Sequence, residues 1–277
     1  GLPGDLIFPA LHGGWGEGGP LQDLMQADGR AFVGSGPRAA RWAMDKIATK
    51  FAAVQLGVPT PVPHILDLRD GECPIAFPAI IKPVHEGSTV GLYVCRDQKD
   101  WARACAAIVE GVAGGDKRSY VVEACIQGPS GTKARELTVG WIDGRSLPVI
   151  EIKPAEGLYD YEAKYTQGRT SIAAPAELDE STTARVRELA TRVFTLAGCS
   201  GFARCDFFVE EPKGEDGSPS GGEARILLNE INTIPGFTQT SVYAKLWEAT
   251  GLPYPELCDR LVELALERHK SESKHSF

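Results

Sequence analysis

The chain has 277 residues, a net charge of -8, and hydrophobic and charged shares of 43% and 24%. That length accommodates two domains with their own cores, in an ordinary globular composition. The negative balance, without any lysine/arginine block, argues against a nucleic-acid partner. No run approaches the roughly 18 apolar residues of a membrane-spanning segment, and the opening residues do not read as a signal peptide.

Leu6 to Leu11 is an apolar, strand-like run that feeds a glycine-rich turn at His12-Gly13-Gly14 and Gly16 to Gly19, with a helix over Leu21–Ala27. Ser35 and Pro37 are suited to cap and start a helix of about 20 residues. Gly57 and then Pro59, Pro61 and Pro63 stop it. Strands are expected at 62–68, 79–83, 90–95 and 119–124, with a helix over 99–112. Asp143-Gly144 between two alternating apolar runs, 137–142 and 147–152, predicts a hairpin. Residues 154–176 read as an irregular polar loop, long enough to suggest a functional one. A helix over 179–197 precedes two strands joined by a Gly/Ser/Pro-rich link at 211–223. Helices at about 240–250 and 254–268 close the chain, with a frayed tail from Lys270.

Seven cysteines (Cys73, Cys95, Cys105, Cys125, Cys199, Cys205 and Cys258) are scattered, with no C-x-x-C pair. They are expected to be reduced, buried thiols of a cytoplasmic protein.

The chemistry concentrates near the C-terminus. Asp206, Glu230 and Asn232 stand among apolar neighbours in strand-like segments, and a period of two puts Glu230 and Asn232 on one face. Oxygen ligands beside Arg204 suit a magnesium–polyphosphate site. Arg204 either serves a developing oxyanion or forms a structural salt bridge with Asp206 or Glu230. Lys46, Lys82 and Lys164 are candidate phosphate cations, against the alternative of solvated lysines. Lys82 is the strongest, because it ends an apolar strand and precedes Pro83. The small-residue loop from His85 through Ser88 to Gly91 either covers phosphates or is a plain turn. Glu123 either accepts from an adenine amino group or ribose hydroxyl, or caps its strand. His12 is read as a hydrogen-bonded structural histidine or as a base.

Together these pieces resemble the D-alanine–D-alanine ligase family of the ATP-grasp superfamily. The matching stretches are Leu11 to Gly19, Met44-Asp45-Lys46, Ile81-Lys82-Pro83, Glu86 to Gly91, Glu136 to Val139, Tyr159 to Tyr165, Arg204 to Asp206, and Asn229 to Gly236. The resemblance implies an α+β, ATP-grasp fold: two α+β lobes enclosing ATP, preceded by a partial α/β N-terminal domain lacking its first strands. It divides the chain into 1–35, 36–124 and 125–277. It implies that Lys46 and Lys82 hold phosphates, that Lys164 reaches the γ-phosphate, that Glu123, Ala124 and Ile126 take the adenine, and that Glu136 takes the ribose. Asp206, Glu230 and Asn232 would ligate two Mg²⁺, or Mn²⁺ in their place. Arg204 and Gly236 would stabilise an oxyanion, with Ser88 and Tyr165 in the catalytic set. His12, Ser241 and Val242 would hold substrate.

The implied activity joins two D-alanines through an acyl phosphate formed from ATP, for peptidoglycan precursor synthesis and hence the cell wall and cell shape. The implied assembly is a cytoplasmic homodimer. Tyr165 after Lys164 goes with an amine as second substrate, where a phenylalanine goes with a hydroxy acid such as lactate. Two departures stand out. Gly128 to Arg135, ahead of Glu136, is several residues longer than usual. The family also has a further half-domain before the His-Gly turn that holds the first substrate's amino group, and the chain starts after it. The alternatives are a related carboxylate–amine or D-alanine–D-lactate ligase, or a nucleotide-binding remnant that makes no bond.

Overall fold

A computed structural model describes residues 4–69, 71–87, 90–128, 131–132, 134–142, 144–154, 170–212, 222–239 and 241–274. Two antiparallel sheets dominate. The smaller, in the order β3-β6-β4-β5, is built from β3 (His64–Ile65), β4 (Ala79–Pro83), β5 (Tyr93–Cys95) and β6 (Tyr120–Ala124). The larger, in the order β11-β10-β7-β8-β9, comprises β7 (Arg135–Ile142), β8 (Arg145–Pro154), β9 (Thr170–Ala173), β10 (Phe202–Glu210) and β11 (Arg225–Asn232). A parallel pair, β1 (Leu6–Ile7) and β2 (Ala31–Phe32), opens the chain. The α+β architecture follows the expectation.

Each large sheet buries one face. Ala79, Ile81, Tyr120 and Val122 alternate along β4 and β6 and pack with Trp101, Ala104 and Ile108 of α5 (Gln98–Ala113). Asp97 caps that helix by accepting from the Asp100 N–H at 2.8 Å. On the larger sheet, Leu137, Val139, Ala203, Cys205, Phe207 and Val209 form one core with Val186, Leu189, Ala190, Val193 and Phe194 of α6 (Glu180–Ala197). The intervening residues of each strand are thereby left on the opposite faces. Phe202, Tyr243, Trp247, Leu257 and Leu261 make another core with α7 (Val242–Glu248) and α8 (Tyr254–Lys274).

Several elements differ from expectation. The helix of about 20 residues is two: α3 (Pro37–Met44) and α4 (Lys46–Gln55). Asp45 separates them with extended backbone, ψ 102°, and its side chain accepts from the N–H groups of Ile47 at 2.9 Å and Ala48 at 3.0 Å. An aspartate that caps a new helix competes with continuation of the old one. The Lys46 N–H then donates to Val84 O of the smaller-sheet region at 3.3 Å.

The glycine-rich turn contains a helical turn, α1 (Gly14–Glu17), ahead of α2 (Pro20–Asp28), and β2 lacked any period-two signal. Residues 170–173 of the expected loop are strand β9, paired with β8. Residues 155–169 lie outside the described residues. The expected frayed tail is instead helical to Lys274.

Candidate active site

The two sheets face each other across a cleft with roughly 1170 Å³ of empty space, part of it open to solvent. Ile80, Lys82, Glu123 and Ala124 line it from the smaller sheet, with Ile126 just beyond β6. Glu136, Thr138, Asp206, Asn229 and Glu230 line it from the larger sheet, and Lys46 from the start of α4. A small adjoining cavity shares Lys46, Glu86, Gly87 and Glu230 and adds Glu17, Asn232 and Thr233.

At one end lies a buried ion cluster. Glu123 Oε2 accepts from Lys50 Nζ and Lys82 Nζ, both at 2.9 Å. Glu123 Oε1 is buried with no hydrogen-bond partner among the described residues. Burial works against the charge on Glu123, but Lys82 and Lys50 outweigh it and hold the carboxyl below its ordinary range. Burial, with Lys82 nearby, pushes Lys50 down to about 7. Lys46 is lowered too, chiefly by burial, and its ammonium donates to the carbonyl of Glu86. Lys82 also approaches Asn229 Oδ1 at 3.4 Å, which links the two sheets.

At the other end Asp206 is gripped from several sides. Arg204 Nε donates to its two oxygens at 3.0 and 3.1 Å, and Arg204 Nη2 to Oδ2 at 2.8 Å. Thr138 Oγ1 donates to Oδ1 at 2.9 Å, and Asn232 Nδ2 to Oδ2 at 3.2 Å. Arg204 thus forms the ion pair with Asp206 that one of its two readings expects.

A β-bulge decides which way β11 points. Asp206 pairs with Glu230 but Phe207 pairs with Leu228, so Asn229 is the extra residue. Ile226 and Leu228 face the core, and Ile231 does so after the bulge. Glu230 and Asn232 therefore face outward with Asp206, and Asn229 is turned into the cleft.

The N-terminal segment meets the site through Glu17, a buried carboxylate. Its Oε2 accepts from Gly13 N at 2.9 Å and lies 3.0 Å from His12 Nδ1, and its Oε1 accepts from Ile234 N at 2.9 Å. His12 Nδ1 also donates to Ile234 O at 2.7 Å. Burial disfavours a charged His12, but the Glu17 contact prevails and its pKa is raised.

Gly236, Ser241 and Val242 follow β11 and line neither cavity. Ser241 Oγ accepts from Thr238 N at 2.9 Å, and a Cβ on Gly236 would come within 3.4 Å of that oxygen. Ser88, Lys164 and Tyr165 lie outside the described residues.

Sequence reasoning passed over Glu17, Lys50, Thr138 and Asn229. Lys50 carried a signal, since it falls four residues after Lys46 on the same helix face. Thr138 had one too, two residues after Glu136 on its strand. Asn229 had none, because the bulge that exposes it depends on the partner strand.

The residues present suit a nucleoside polyphosphate with a hard cation. Lys46 and Lys82 supply positive charge, Glu123 Oε1 can accept from an amino group, and Asp206, Glu230 and Asn232 offer oxygen ligands.

Comparison with known proteins points the same way. Residues 68–263 match the family model described as D-ala D-ala ligase C-terminus. The chain is 39% identical over 270 residues to a D-alanine--D-alanine ligase of Desulforudis audaxviator, covering 95% of this chain and 82% of that relative. The D-alanine-D-alanine ligase structure from Coxiella burnetii superposes with a TM-score of 0.74 at 30% identity, over 98% of this chain and 70% of that one. The Bacillus anthracis enzyme complexed with ATP gives 0.72 at 29% identity, over 97% and 81%.

Proposed function

The chain belongs to the D-alanine–D-alanine ligase family, and from that membership together with its cleft we infer an ATP-dependent ligase that joins two D-alanines for peptidoglycan synthesis. One arrangement supports this above the rest: Lys46 and Lys82 share a single cleft with Asp206 and Glu230, between two antiparallel sheets. The carboxylate of one D-alanine attacks the γ-phosphorus of ATP, and ADP leaves with the electrons of the broken P–O bond. The amine of the second attacks the acyl phosphate, an amide C–N bond forms as the amine gives up a proton, and phosphate leaves with the former C–O bond electrons.

For the chain's own residues the task is alignment, charge neutralisation and exclusion of water. We assign Lys46, Lys82 and Lys164 to the phosphates, Glu123, Ala124 and Ile126 to the adenine, and Glu136 to the ribose. Asp206, Glu230 and Asn232 would hold two Mg²⁺, or Mn²⁺, which would neutralise phosphate charge when bound. Arg204 and the Gly236 N–H would meet the developing oxyanion, with Ser88, Tyr165, His12, Ser241 and Val242 orienting the amino acids. In support, His12 is tied through Nδ1 to Ile234 O, two residues before Gly236. The three-part division at 1–35, 36–124 and 125–277 belongs to the same proposal, as do a homodimer and a cytoplasmic setting. No helix of the described residues is long and apolar enough to cross a membrane.

The test is ADP release with product identification, across D-alanine, D-serine, D-lactate and L-alanine. D-alanine should stimulate release and yield the dipeptide; its failure to do so sinks the reading. Replacing Tyr165 with Phe should raise the D-lactate share of product, and unmoved product ratios would remove Tyr165 from the specificity role.

A further inference from the structure

Lys50 stands apart from the residues that face a ligand. Its side chain is 1% exposed, and its ammonium lies against Glu123 rather than in the open cleft. It comes from α4, which packs against β11 and α6, whereas Glu123 and Lys82 belong to the smaller sheet. A buried ion pair is weak as a source of stability, because desolvation of the charges offsets their attraction. Stability alone therefore does not account for a fully buried lysine here.

The charge count offers an account. One carboxylate serves two ammonium groups through a single oxygen, Glu123 Oε2. Were Lys82 its sole partner, moving Lys82 onto a phosphate would strand a buried carboxylate without a counter-charge, at a cost of several kcal/mol. With Lys50 fixed beside Glu123, Lys82 can leave. We propose that Lys50 is a positioning residue that keeps Glu123 neutralised and so releases Lys82 for the polyphosphate of ATP. The charged groups around Lys50 are Glu123 on β6, Lys82 on β4 and Lys46 on its own helix. Its pKa is pushed down to about 7 first by burial and then by Lys82, with Glu123 working against both. Lys50 touches no substrate in this scheme and acts through Glu123.

The inference rests on the ATP-dependent reading above, and calorimetry separates the two. Wild-type protein that binds no ATP overturns the functional reading itself. Given wild-type binding, Lys50→Met should weaken ATP and ADP by about tenfold or more, equivalent to at least ~1.4 kcal/mol. Adenosine, which has no phosphate, should bind within about twofold of wild type, and Lys50→Arg, which keeps the charge, should bind ATP within about threefold. In a Lys82→Met background Lys50→Met should add less than about twofold, as expected for two residues on one path. Unchanged ATP affinity in Lys50→Met overturns the proposal. So does an equal loss of adenosine and ATP, which would make Lys50 a scaffold of the base pocket, and so does full additivity with Lys82→Met. If Lys50→Met does not fold by thermal melt, Lys50→Gln takes its place with the same outcomes.

Discussion

The two ends of the cleft solve one electrostatic problem in opposite ways. At the smaller sheet, two lysines converge on Glu123 and one carboxylate oxygen has no partner among the described residues. At the larger sheet, a single carboxylate, Asp206, collects donors from Arg204, Thr138 and Asn232, with Glu230 nearby. The first end carries surplus positive charge suited to an anion, and the second carries surplus oxygen suited to a cation. Each is also compensated within the protein, which limits the cost of burying charge before a ligand arrives. Charge of both signs is thereby preorganised across one cleft, where it acts on reacting groups without reorganisation.

Breaking either end tests this contrast. Lys82→Ala should reduce ATP-dependent turnover by about 10²–10³, the cost of losing one preorganised electrostatic group. The melting temperature should barely move, because Lys50 still neutralises Glu123. Normal turnover would remove the nucleotide site from this cleft. Asp206→Asn should lower turnover by about 10² and shift the Mg²⁺ dependence to higher concentration, whereas ATP binding without metal should change little. A loss confined to metal-free ATP binding would show that the two ends are not separate.

Thr138→Val removes one donor to Asp206 and keeps the shape, so about 1 kcal/mol of stability should go in a denaturant titration. An effect above that would mean the Asp206 network is more tightly coupled than its separate contacts suggest. Glu17→Gln should lower the His12 pKa, readable by NMR titration. His12 is raised above 6.5, so its contribution to stability is full below that value and fades as pH climbs through the folded pKa. The Gln variant should lose that low-pH benefit, and an unmoved His12 pKa would rule out Glu17 as its cause.

Much of the site was legible from residue order, because strands carry their own bookkeeping of faces. Ala203, Cys205, Phe207 and Val209 are core residues, and Arg204 and Asp206 the opposite set, as a period of two requires. Lys82 could be placed because a lysine closing an apolar strand has few places to go. Glu123, Glu136 and Glu230 also line the expected cleft. Expectations failed where a local competitor intervened. Asp45 could be read as one more residue of a long helix until its side chain is seen capping the next one.

What the sequence determined by itself was the alternation of core and cleft residues along each strand, the helix stop marked by Gly57 and the prolines, and the family motifs. Those are local properties, set by side-chain chemistry within a few residues. Tertiary structure alone decided which face of β11 its alternation serves. Without the bulge at Asn229, the period running through Ile226 and Leu228 would have carried Glu230 and Asn232 into the core. It also decided that Lys50, Glu123 and Lys82 meet. They are far apart in the chain and come together only because α4 lies against one sheet while β4 and β6 form the other. Which charge neutralises which is a matter of distance in space, and no spacing along the chain encodes it.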